Sequence, residues 1–185
     1  MENKQYEFYG IDFKTELLLG LITGLICILL WFGLLFLYYE YLHLDSILRI
    51  SKRIFFICMF IGLFISMVLL RTMGILFRNM WRISDSNNQF VISYKNHTWK
   101  IDKKDIQKIN YIGNNSFRYL SFFTNNDKIK IRVGHNILTP FSKKKDIEII
   151  EKFIEYISPF LQQHFNHQNK KIVFFENQGV YDRKK

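Results

Sequence analysis

The sequence predicts an α+β membrane protein: an N-terminal transmembrane helical hairpin, then an antiparallel β-barrel or sandwich capped by one C-terminal helix. Three observations predict it. Two long apolar runs occupy the first 80 residues, short alternating segments separated by polar turns follow, and one amphipathic helical pattern closes the series. The organisation that results is a cytoplasmic N-terminal segment (1–16), a two-span hairpin (17–77), a soluble domain (78–165) and a basic tail (166–185).

The first run, Leu17–Tyr39, contains no charged residue and 15 Leu, Ile and Phe residues. A bilayer core needs roughly 20 apolar helical residues. On the insertion scale these 15 contribute about −5 to −9 kcal/mol, with no buried charge opposing them. It is too long for a signal peptide, is preceded by mixed charge, and lacks a small-residue cleavage site. The second run, Ile54–Phe77, is interrupted at Arg71. An arginine at mid-bilayer costs about 2.5–3.5 kcal/mol, whereas one near a span end reaches the headgroups. Arg71 is therefore placed at the membrane boundary with Arg78, Trp81 and Arg82 as further anchors. A transport or channel subunit with Arg71 on an ion path is the alternative role for it.

Joined by Glu40–Arg53, the spans form a hairpin with both termini on one side. Lys4, Lys14, Arg71, Arg78 and Arg82 flank the terminal side, against Arg49, Lys52 and Arg53 in the connection, which favours cytoplasmic termini. Gly20-x-x-x-Gly24 and Gly62-x-x-x-Ser66 offer small surfaces for close helix packing. Cys27 and Cys58 sit at different depths and read as packing residues.

From Arg78 onward, 20 Lys and Arg stand against 10 Asp and Glu, so this part carries the whole formal charge of +10. Such a surface suits anionic lipid or an acidic protein. Nothing resembles a nucleic-acid module. The strands expected are Trp81–Ser84, Gln89–Tyr94, Thr98–Ile101, Asp105–Ile112, Phe117–Thr124 and Lys128–Val133, with a short one at Asn136–Thr139. In Lys128–Val133, Ile129, Ile131 and Val133 face a core, while Lys128, Lys130 and Arg132 face water. Ile147, Ile150, Ile154, Ile157 and Leu161 line one helix face, with Ser142 as N-cap and Pro159 ending or kinking the helix. Lys143, Lys144 and Lys145 crowd its first turn, where the dipole disfavours cations. With Lys128, Lys130 and Arg132 they form the expected membrane-surface or partner-binding face. In the tail, Lys171–Phe175 reads as a strand or docking segment.

Thr98-Trp-Lys-Ile-Asp-Lys-Lys-Asp-Ile-Gln-Lys-Ile-Asn-Tyr111, the strand at Lys128–Val133 and the helix from Lys143 resemble bacterial pleckstrin-homology (PH)-like domains. A preceding two-helix hairpin is similar to the architecture of small bacterial PH-domain membrane proteins. The resemblance spans Phe77–Phe165 and implies a bacterial inner (cytoplasmic) membrane location. Phosphoinositide-binding PH domains cluster basic residues at the first strand–strand turn. Read at Asp85-Ser86-Asn87-Asn88, that turn is acidic and polar, which implies diffuse lipid contact or protein binding instead.

Catalytic patterns are absent. His164-x-x-His167 has no third ligand beside it, and there is no Gly-x-Ser-x-Gly, His-Glu-x-x-His or phosphate loop. The expectation is a non-enzyme without cofactor or metal: a membrane scaffold or adaptor for a protein partner or anionic lipid, able to self-associate. The second functional class is an immunity-type protein that neutralises a membrane-acting toxin.

Overall fold

The computed structural model describes residues 4–41, 51–86, 88–169 and 177–184. Strand β1 (Gln5–Asp12) runs directly into helix α1 (Phe13–Tyr41), and helix α2 (Lys52–Phe77) returns into β2 (Asn79–Ser86). There follow β3 (Gln89–Tyr94), β4 (His97–Asp102), a 3-10 turn (Lys103–Asp105), β5 (Ile106–Asn114), β6 (Phe117–Thr124), β7 (Lys128–Gly134), α3 (Lys144–His164), β8 (Phe165–Asn169) and β9 (Asn177–Arg183).

Both apolar runs are helices long and apolar enough to cross a membrane, and most of their large apolar side chains are exposed. They pack on each other through the second small-residue pair. A Cβ on Gly62 would sit 3.3 Å from the Trp31 nitrogen and 3.4 Å from the Cys27 carbonyl. Ser66 is also buried, its hydroxyl donating to the Gly62 carbonyl at 2.8 Å. Gly20 and Gly24 do not take part. Nothing lies within 4 Å of a Cβ at either, because α1 buries Leu19, Thr23 and Leu35 instead. Cys27 and Cys58 are free, and Cys58 is buried.

The sheet has nine strands in the order β4-β3-β2-β1-β7-β6-β5-β9-β8, all paired antiparallel. The stretch 1–16, read from the sequence without an element, supplies the strand at its centre. Gln5 to Gly10 pair with β2 in the register Gln5↔Ser84 to Gly10↔Asn79, and Ile11 and Asp12 then cross to β7. The switch occurs at Gly10, where a Cβ would lie 2.6 Å from the Arg132 carbonyl and 3.0 Å from Val133 Cγ2. No side chain fits there, so the absence of one is what lets β7 approach.

Helix α3 buries Ile147, Ile150, Phe153, Ile157 and Leu161 against Phe8, Phe90, Phe122 and Ile131. Each such side chain is worth about 1.5–3 kcal/mol on burial. Lys143, not Ser142, is the N-cap, and Asp146 stands in for a capping side chain by accepting from the Lys143 N–H at 2.7 Å and the Tyr9 N–H at 3.2 Å. Ser142 turns instead to the Gly134 backbone. The helix also runs through Pro159 to His164, because Leu161 is buried and Phe160 packs on Phe90 and Phe165.

Asn136–Thr139 is not a strand. It is a turn closed by the Asn136 side chain, which accepts from the Thr139 N–H and hydroxyl. The tail contributes β8 and β9, β9 covering β5 from Lys108↔Asp182 to Gly113↔Asn177. Lys171–Phe175 lies outside the described residues, as does Arg49.

A second small core joins helices to sheet. Ile11, Leu19 and Phe141 are buried together, with Leu70 and Met73 packed on them. A Cβ on Gly74 would meet Pro140 Cγ at 2.9 Å, so the chain after β7 lies close against α2.

Candidate functional site

The strand β7 was expected to present three cations to water. Its apolar side behaves as read, with Ile129, Ile131 and Val133 buried. Its polar side does not, because α1 starts beside it. Arg132 Nε donates to Glu16 Oε2 at 2.7 Å, Tyr119 donates its hydroxyl to Glu16 Oε1 at 2.9 Å, and the Arg132 guanidinium lies 3.9 Å from the Tyr119 ring centre. The side chains of Arg132 and Glu16 are only 11% and 22% exposed. Arg132 is therefore a clamp between helix and sheet and not a free surface cation. A double-mutant cycle of Glu16→Gln and Arg132→Gln, read by thermal unfolding in detergent, should give a coupling energy of about 1–2 kcal/mol.

Lys130 and Lys128 remain available, and the fold brings them to others that the sequence reading did not select. A groove of about 670 Å³ is lined by Lys14, Lys95, Lys128 and Lys130 around one carboxylate, Asp12. Its other walls include Phe13, Trp81, Tyr94, His97 and Trp99. Each element has a reason to deliver its lysine. Lys128 and Lys130 alternate with buried residues on β7, Lys14 opens α1, and Lys95 sits in the tight turn joining β3 to β4. Lys95 has φ +53°, in the left-handed region where a lysine costs about 1–2 kcal/mol. Strain of this kind is concentrated at functional sites.

Electrostatics in the groove are unbalanced. Lys130 lies 3.6 Å from the Phe13 ring centre. Burial, then the charges of Lys128 and Arg132, lower its pKa. For Asp12 burial pushes upward, but hydrogen bonds from the Thr15 hydroxyl and backbone outweigh it and hold the carboxyl below its ordinary value. It thus stays ionised and caps the start of α1. Trp81 and Tyr94 stack with ring centres 4.0 Å apart, and Trp99 lies 6.2 Å from Trp81. Among the described residues the Trp81 indole N–H is buried without a hydrogen-bond partner. Such a group costs about 1–3 kcal/mol when unsatisfied.

Trp81 is thus not a membrane anchor. It is 1% exposed, because β2 begins two residues earlier and turns its ring into the core. Arg82 pairs with Glu7 at 3.0 Å across β1 and β2, both well exposed, which contributes little. Lys143 belongs to a different groove, beside Arg71 and Arg78, so the two basic clusters read together from the sequence are separate in space. Lys144 and Lys145 are exposed on the first turn of α3. His164 and His167 do not share a helix face: the first packs at a tilt on Phe160 and the second, in β8, on Tyr181. Among the described residues no group of three metal-ligating side chains forms.

One buried cation escaped the sequence reading. Arg118, 3% exposed, pairs with Glu151 of α3 and donates Nε–H to the Tyr111 hydroxyl at 2.6 Å. Its signal lies in β6, where an arginine occupies a strand otherwise rich in aromatics. Burial raises the pKa of Tyr111 to about 12 despite Arg118, and burial followed by Asp12 raises that of Tyr94 to about 12. The folded state therefore holds these protons above the unfolded value near 10. Stability is full below pH 10 and falls as the pH rises towards 12. Tyrosinate absorbance should show a late phase that coincides with loss of circular dichroism, and Tyr111→Phe should diminish it.

No family model matches the chain, and no curated protein or solved structure is significantly similar to it.

Proposed function

We propose that this chain is a non-enzymatic integral membrane adaptor. Its helical hairpin holds a PH-like domain at the cytoplasmic membrane face, and the lysine groove receives an acidic, extended segment of a protein partner. The observation that carries the reading is the groove: four lysines against one carboxylate, over aromatic walls, at the foot of an apolar helix. An acidic segment would neutralise the lysines. β4, which contributes His97 and Trp99, lies at an edge of the sheet, where an added strand pairs readily.

The strand order supports the PH-like reading. The resemblance implies about six or seven antiparallel strands followed by one helix, and β1 to β7 followed by α3 agree with it, while β8 and β9 are added after the helix. In that reading the connection between the first two strands is the membrane hairpin itself, and the step from β2 to β3 is the second connection. The sheet is held to the hairpin at two strand–helix junctions, at the Glu16–Arg132 pair and at the Ile11–Leu19–Phe141 core. A scaffold with a fixed orientation needs such stiffness.

Crosslinked affinity purification from native membranes tests the function. Wild type should retain a stoichiometric partner that the Lys95→Glu/Lys128→Glu variant loses. An unchanged set of copurifying proteins rejects the groove as the binding site. A cysteine at the exposed Asn126 should resist an impermeant thiol reagent in intact cells and react after permeabilisation, and labelling of intact cells overturns the cytoplasmic orientation.

A further inference from the structure

We infer that a second groove, at the C-terminal end of α2, is a binding site for an anionic phospholipid, an inference that rests on the hairpin crossing a membrane. Met67, Arg71 and Ile75 follow one another at intervals of four residues and so line one face of the end of α2, and Arg78, its extended C-cap, continues the same wall. The loop from His135 to Lys143 forms the opposite wall, pressed against α2 where Gly74 meets Pro140. Between them is a groove of about 760 Å³.

Its lining divides by chemistry. Arg71, Arg78 and Lys143 bring three cations, and no carboxylate lines the groove. Among the described residues neither Arg71 nor Arg78 has an ion-pair partner, and the Arg78 guanidinium lies 5.4 Å from the Tyr9 ring centre. Met67, Ile75, Ile137 and Leu138 supply apolar surface, and Ile137 and Leu138 are 60% and 64% exposed at the loop tip. Water is a poor solvent for that tip, while lipid at the end of an apolar helix is a good one. A free anion would satisfy the arginines and leave the apolar wall wet. A neutral lipid would do the reverse. A phospholipid with net negative charge satisfies both: its phosphate between the guanidiniums, which pair with it bidentately, and its acyl chains along Met67, Ile75 and the loop tip. This also gives a reason for an arginine inside the last two turns of an apolar helix.

The test is native mass spectrometry of the full chain in detergent, titrated with dioleoylphosphatidylglycerol, dioleoylphosphatidylcholine or inorganic phosphate. Wild type should bind the glycerol lipid about tenfold more than the choline lipid, since each surface cation contributes a fewfold. Arg71→Gln/Arg78→Gln should bring the two close to equal. Ile137→Asn/Leu138→Asn, on an exposed loop that leaves the core intact, should weaken both lipids together. Lys128→Gln/Lys130→Gln, in the other groove, should change neither. Equal binding of the two lipids by wild type, or a preference that survives loss of both arginines, overturns the site. Complete competition by inorganic phosphate overturns a lipid in favour of a free anion. Alkaline carbonate extraction separates the premises: a chain released by carbonate is not membrane-spanning, and the inference then fails with that reading. A chain that resists carbonate but shows no lipid preference leaves the adaptor reading standing and removes only this site.

Discussion

A fragment starting at Arg78 should not fold, although it holds eight of the nine strands and the whole of α3. β1 lies between β2 and β7, so its removal parts the sheet at the middle and leaves two unpaired inner edges. It also removes Phe8 and Ile11, which are 1% and 0% exposed. Truncations of core residues of this size cost about 2–5 kcal/mol each, against a total of about 5–15 kcal/mol for a domain. Asp146 loses the Tyr9 N–H as well. The expected result is a fragment without a cooperative thermal transition, prone to associate through the exposed edges. Joining residues 4–12 to Asn79 through a short turn should restore folding, because Gly10 and Asn79 already face each other as the last β1–β2 pair. Cooperative unfolding of the 78–185 fragment alone would show that β1 is an accessory and not the centre of the sheet.

That expectation marks where the sequence was legible. Uninterrupted apolar runs and clean alternation are local signals, so both long helices, the strands between Asn79 and Gly134 and the amphipathic face of α3 were all readable from it. β1 also alternates, with Tyr6 and Phe8 between polar residues, but it is short and its partner β2 lies beyond two helices. Nothing nearby marks Gln5–Asp12 as a strand. Trp81 illustrates the opposite error. An aromatic just past an apolar helix fits an interfacial belt, yet the same residue heads an alternating strand, and burial in the sheet prevailed. Arg132 could not be read as a clamp because Glu16 lies 116 positions away. Of the lysine groove, Lys128 and Lys130 were legible from alternation. Lys14 and Lys95 were not, since one opens a helix and the other occupies a turn, and only the bend of β1 brings them together.

Replacing Gly10 by valine should test that bend directly and destabilise the protein by about 3–5 kcal/mol, more than a typical overpacked core site. The obstacle at 2.6 Å is the Arg132 carbonyl, a backbone atom fixed by β7, so no side-chain rotation relieves it. Either β1 shifts away from β7 or the ladder opens at Ile11↔Arg132. Both movements loosen the Glu16–Arg132 clamp, and Trp81 Cδ1, only 3.3 Å from the added Cβ, is displaced as well. The thermal midpoint in detergent should fall by about 6–20 °C, at roughly 2–4 °C per kcal/mol for a chain of this size. Gly20→Val is the matched control: nothing lies within 4 Å of its Cβ, and it should leave the midpoint within a degree or two. Partner retention should follow the same contrast, lost with Gly10→Val and kept with Gly20→Val, because Gly10 lies where the groove wall, the sheet and the foot of the hairpin meet. Equal midpoints for the two variants would mean that β1 does not cross from β2 to β7 at Gly10, and the rigid link between hairpin and groove would lose its basis.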